Sequence, residues 1–98
     1  MGWTVRIEDE QGNIRKSLSK EFILSDQEII FNNAFRLLKY LDPFGDTTFN
    51  SLMFEDLKKD FAELKKLSPA NKEQSQEILD LVKECEEDIH LYLKFYGD

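Results

Sequence analysis

Pro43 constrains this chain more than any other residue. Its ring disfavours the α conformation at Asp42, so a helix arriving from upstream must end near Leu41. Gly45 follows, free to take positive φ, and Asp46 is suited to bonding its own backbone or capping what comes next. Leu41-Asp42-Pro43-Phe44-Gly45-Asp46-Thr47-Thr48-Phe49-Asn50 therefore reads as a turn between two helices. Asp42, Asp46, Thr47 and Asn50 carry two readings. They are turn formers that satisfy loose backbone groups, the commoner use of such residues at helix ends, or they line a polar pocket.

The chain on either side of this break has clear periodicity. Trp3, Val5 and Ile7 alternate with Thr4, Arg6 and Glu8, the period of a half-buried strand. Gly12-Asn13 signals a hairpin turn, and Ile14 to Leu18 reads as the returning strand. Phe22-Ile23-Leu24 reads as a packed linker in preference to a third strand. Ser25-Asp26-Gln27-Glu28 is a capping box, with Leu24 and Ile29 placed as the hydrophobic staple across it. A helix is expected from there to about Leu41. A second helix should start between Asn50 and Phe54 and reach about Leu67, with Leu57, Phe61 and Leu64 on its apolar stripe. A third is expected over about 72–95, burying Ile78, Val82, Cys85, Ile89, Leu93 and Tyr96 and closed by Gly97 as a left-handed cap. The expected fold is α+β, one domain over 1–98: a hairpin at about 3–18 packed on a core of three helices at about 25–41, 50–67 and 72–95. Two strands alone are marginal in water, so the hairpin must lean on the helices.

The Asp42 to Asn50 block, with Cys85 and the tail His90-Leu91-Tyr92-Leu93-Lys94-Phe95-Tyr96-Gly97-Asp98, resembles a group of small uncharacterised bacterial proteins. These carry a segment similar to Asp-Pro-Tyr-Gly-Asp-Thr-Val-Phe-Asn and end in a His-x-Tyr-Leu-x-Phe-x-Gly-Asp tail. The likeness covers about a third of the chain and departs at Phe44 and Thr48. It implies an N-terminal hairpin and brings no activity with it.

Charge excludes some functions. The net charge of −7 argues against general nucleic-acid binding, which needs a basic face. Residues 68–98 hold eight of the 20 acidic groups against Lys72, Lys83 and Lys94, so the acidity belongs mainly to the last helix. No apolar run is long enough to span a membrane. The N-terminus lacks the basic start and apolar core of a signal peptide, and a lone Cys85 forms no internal disulfide; together these lead us to expect a cytoplasmic protein.

Little in the sequence points to catalysis. The single histidine, His90, follows Glu86 and Glu87 at helical spacing, but di-iron bundles need that motif twice, so no metal site is expected. No cofactor motif is present, and Cys85 sits on the apolar stripe as a small hydrophobe. One constellation stays open: Asp42, Asp46 or Asn50 meeting His90 as a general base in a small hydrolase or ligand-binding domain. The leading expectation is a protein-binding module, in its narrower form an immunity-type inhibitor of a basic partner. Glu73, Glu77, Asp80, Glu84 and Glu87 run down one helix face. That stripe is either solvated surface or a docking face, with Asp80, Glu84 and Glu87 as the expected contacts. A structural homo-oligomer using the surplus aromatics is a third reading. Oligomeric state is not fixed by the sequence.

Overall fold

A computed structural model describes residues 2–24, 35–42 and 44–97. Five strands and two α-helices follow one another as β1 (Gly2–Glu8), β2 (Ile14–Ser17), β3 (Phe22–Ile23), β4 (Asp46–Phe49), α1 (Phe54–Leu67), α2 (Lys72–Cys85) and β5 (Tyr92–Tyr96). Short 3₁₀ turns occupy Leu38–Tyr40, Ser51–Met53 and Pro69–Asn71. The sheet is antiparallel, in the order β2-β1-β5-β4, and β3 pairs with Gly2 and Trp3 of β1.

The N-terminal hairpin forms as the alternation requires. Gly12 N donates to Asp9 O at 3.0 Å, and Asp9 N to Asn13 O at 3.1 Å, leaving a three-residue loop. Gly12 closes that loop at φ 82°, a conformation that costs glycine little. The alternation also sorts the faces of the sheet. Trp3, Val5 and Ile7 of β1, Phe49 of β4, and Leu93 and Phe95 of β5 face the helices and are buried.

Helix α1 supplies Phe54, Leu57, Phe61 and Leu64 to that core, and α2 supplies Ile78, Leu81, Val82 and Cys85. Acidic Glu55 and Asp56 in the first turn of α1, and Lys65 and Lys66 in the last, suit the helix dipole. The rings of Phe61 and Phe95 stack with centroids 6.1 Å apart, and Phe22 and Phe49 meet them edge-on. Such aromatic pairs contribute about 0.5–1.5 kcal/mol each beyond the area they bury.

Several expectations are corrected here. The core has two α-helices among the described residues, not three. Residues 25–34, where the capping box falls, lie outside the described residues. The expected continuation to Leu41 is only the 3₁₀ turn at Leu38–Tyr40. The helix expected to reach residue 95 ends at Cys85, and Tyr92–Tyr96 is instead an interior strand. Asp88 breaks the helix: its backbone O accepts from Leu91 N at 3.1 Å and its Oδ1 from His90 N at 2.9 Å. Beyond it, Tyr92, Phe95 and Tyr96 are β-prone aromatics that pack better on a pleated surface than on a helix. Ile89, assigned to the buried stripe, is 73% exposed. Gly97 is not a helix cap; its N donates to Gly45 O at 2.8 Å and prolongs the β4–β5 ladder. Thr47-Thr48-Phe49, read as part of a turn, is strand β4. Phe22–Ile23 is a short strand and not a linker. Side-chain amides at the start of α2 and in the turn before it hold it: Gln74 bonds Ile23 N and Glu21 O, and Asn71 bonds Ile23 O.

Candidate functional site

At one end of the sheet the β1–β2 turn meets the loop between α2 and β5. Asp9 builds the turn by accepting from Gln11 N at 3.0 Å and Asn13 N at 2.9 Å. The hydrogen bond from the Asn13 backbone is the main cause that holds its pKa below the ordinary carboxylate value. The neighbouring Glu10 carboxylate lies 2.6 Å from His90 Nδ1, joining the two loops. That hydrogen bond, and then the charge of Glu10, push the His90 pKa up. Between the turn and the sheet runs an open groove of about 440 Å³, with Asp9, Glu10, Gln11 and Gly12 on one side and Thr48, Tyr92 and Lys94 on the other.

Thr48, Tyr92 and Lys94 stand on the sheet face turned away from the helices, and Lys94 joins the groove to a polar cluster on that face. Tyr96 OH donates to Glu8 Oε2, and Lys94 Nζ lies 3.4 Å from Glu8 Oε1. The Arg6 guanidinium stacks over the Tyr96 ring, 5.3 Å from its centroid. These neighbours leave Glu8 only 3% exposed although no helix covers it among the described residues. Burial first, then the Glu8 hydrogen bond, push the Tyr96 hydroxyl up to about 12.

The loop side of this end is acidic. Glu84 is bound by Lys16 at 2.6 Å and Glu86 by Lys58 at 3.0 Å, which leaves Glu87 without an ion-pair partner among the described residues. Both lysines have raised pKa values, chiefly from these hydrogen bonds. Ile89 projects into solvent between Asp88 and His90.

The residues singled out from the sequence are spread across the fold. Asp42 Oδ1 accepts from Phe44 N at 2.9 Å, and its carbonyl accepts from Trp3 Nε1 at 2.9 Å. Asp46 opens β4 opposite Tyr96, whereas Asn50 follows the other end of β4 and caps the next turn through Leu52 N. His90 precedes β5 at the end away from Asp46. The four strand steps from Tyr92 to Tyr96 alone span roughly 13 Å at about 3.3 Å per residue. Asp42, Asp46 and His90 are therefore not brought together. On α2, Glu84 and Glu77 are bonded by Lys16 and Ser19 of the neighbouring chain segment, and Asp80 accepts from Gln76. Only Glu87 of the expected contacts stands clear.

Sequence reasoning missed Glu10, Glu8 and Lys94, which gave no signal beyond their place on the polar side of the strands. It also missed Asp60. That carboxylate is 1% exposed and accepts from three backbone amides, Arg36, Leu37 and Leu38, at 2.6–3.1 Å. It anchors the segment before Pro43 onto α1. Cys85 is fully buried, and burial pushes its thiol up to about 12, so it is no thiolate nucleophile at neutral pH. No group of three or more acidic, histidine or cysteine side chains is placed to hold a metal ion among the described residues. Nor is any described helix long and apolar enough to cross a membrane. No protein-family model, curated protein or solved structure matches the chain.

Proposed function

We propose that this chain is a small cytoplasmic protein-binding module whose acidic end receives a basic partner. The observation that carries the reading is Ile89, 73% exposed, set in the run Glu86-Glu87-Asp88 just beyond the C-terminal end of α2. Glu86 is paired with Lys58 and Asp88 holds the turn to His90, so Glu87 is the group whose charge opposes the helix dipole without an ion-pair partner among the described residues, at a cost of about 0.3–1 kcal/mol. Charge held against its local preference around an exposed apolar side chain is explained by a surface kept for contact. Glu10, held next to His90, adds to the same end. Acidic groups of this kind speed encounter with a basic surface, and the isoleucine supplies apolar burial once the two have met. In its narrower form the reading is an immunity-type inhibitor.

The test begins with co-purification from the native host. The recovered protein's association rate is then measured against ionic strength for wild type and for Glu87→Lys. Glu84 is left in place because it holds Lys16. The variant should associate more slowly, with the difference shrinking as salt shortens screening to roughly 8 Å at physiological strength. Equal rates at low salt would refute the reading, as would a recovered partner that is itself acidic.

A further inference from the structure

We propose that β4 pairs with β4 of a second copy of this chain, antiparallel about a two-fold axis at Thr48, so that one sheet runs through both copies. This goes beyond the proposed function and rests on the other end of the sheet order. Among the described residues β4 is an edge strand. The bond from Gly97 N to Gly45 O fixes its phase. In an antiparallel ladder alternate residues face the same neighbour. Gly45, Thr47 and Phe49 therefore direct their backbone groups at β5, while Asp46 and Thr48 direct theirs away from the sheet. No backbone bond to those outward groups is made among the described residues.

The two edges of the sheet are treated differently. β2 carries Arg15 and Lys16, and its pairing with β1 has a register irregularity between Ile7 and Glu8. Charge and irregularity of this kind discourage strand addition. β4 reads Asp-Thr-Thr-Phe, with β-prone threonines and neither lysine nor proline.

The flanks of β4 say which partner fits. Phe44 and Leu52 are the two most exposed large hydrophobic residues described, at 81% and 89%. They stand four positions before and four after Thr48. Faces are preserved across a two-fold perpendicular to the sheet, so the axis falls on a residue of β4 and not between two. With the axis at Thr48, Asp46 meets the neutral Asn50, and the turn that carries Phe44 in one copy comes beside the 3₁₀ turn that carries Leu52 in the other. With the axis at Thr47, Asp46 meets Thr48 and the extended Asn50 is left outside the pairing. Each end of β4 carries an exposed apolar residue, and an antiparallel two-fold sets one end beside the other, which favours a second copy over an unrelated strand.

Sedimentation of the full chain over a concentration series tests this, with three variants. Thr48→Pro deletes an outward N–H that the monomer's sheet does not use, and edge strands accept proline at such a position. Phe44→Ser/Leu52→Ser removes the flanking contacts. Thr48→Cys places one thiol beside its own copy at the axis, while Cys85 is buried. The wild type should sediment as a dimer at tens of micromolar. The first two variants should keep their far-ultraviolet dichroism and weaken self-association about tenfold or more. Thr48→Cys should cross-link to a covalent dimer on mild oxidation. A wild type that stays monomeric to millimolar concentration overturns the proposal. So does a dimer unaffected by Phe44→Ser/Leu52→Ser, which decides the matter if Thr48→Pro fails to fold.

Discussion

Removing the carboxylate of Asp60 should detach residues 36–38 from α1. The Leu38 amide is buried and has no route to water, so leaving it unpaired costs about 1–3 kcal/mol. The Arg36 and Leu37 amides are part-buried and regain water in part, so their bonds are worth about 0.5–1.5 kcal/mol each. Asp60→Ala should therefore destabilise the fold by about 2–6 kcal/mol, a large share of the roughly 5–15 kcal/mol typical of a domain. Asp60→Asn should cost less. Its carbonyl can replace Oδ2, which accepts from all three amides, while its NH₂ then faces the Arg36 amide donor. Urea unfolding followed by circular dichroism gives the energies. Hydrogen exchange should show residues 36–38 losing protection first. An alanine variant within about 0.5 kcal/mol of wild type, the range of ordinary surface changes, would refute the anchoring role.

Two further outcomes follow from buried and paired groups. Ser75 Oγ is buried with no hydrogen-bond partner among the described residues, so Ser75→Ala should be neutral or stabilising by up to about 1 kcal/mol in the same urea assay; a clear loss would reveal a bond to that hydroxyl. Glu10 raises the His90 pKa above its ordinary 6.5, so the pair's contribution to stability is fully present below about 6.5 and is lost as pH rises through the folded value. An NMR titration of the single histidine should show this, with Glu10→Gln returning the value toward 6.5; a wild-type value at or below 6.5 would contradict the contact.

What the sequence makes legible is local. Alternation of Trp3, Val5 and Ile7 gives the first strand, and the spacing of Leu57, Phe61 and Leu64 gives α1. The last strand is hidden because Leu93 fits two patterns at once: a helical stripe continued from Cys85 and Ile89, and a period-two strand with Phe95. With no proline or glycine between Lys72 and Tyr96, only Asp88 marks the helix end, and aspartate is a weak stop. The link between Glu10 and His90 joins residues 80 positions apart, so no local pattern announces it. Asp60 did leave a trace: it shares a helix face with Leu57 and Leu64, where a carboxylate requires partners. Its partners lie in the stretch read as helix, where those amides were assigned to helical bonding.

The place of β5 in the sheet has a consequence for how the molecule forms. It is the last strand made, yet it lies between β1, the first, and β4. Until Tyr92–Tyr96 has been synthesised, β1 and β4 share no partner, and Trp3, Val5, Ile7 and Phe49 lack the strand that completes their layer. Contacts between segments this far apart in sequence carry a large loop-closure cost and slow folding. From β1 until β5 emerges, the chain must therefore leave one edge of its first strand without the partner it will have in the finished sheet. That interval exposes strand edges and apolar side chains to association with other chains. The segment that separates the two partners is the one that holds β4 and the α1–α2 pair.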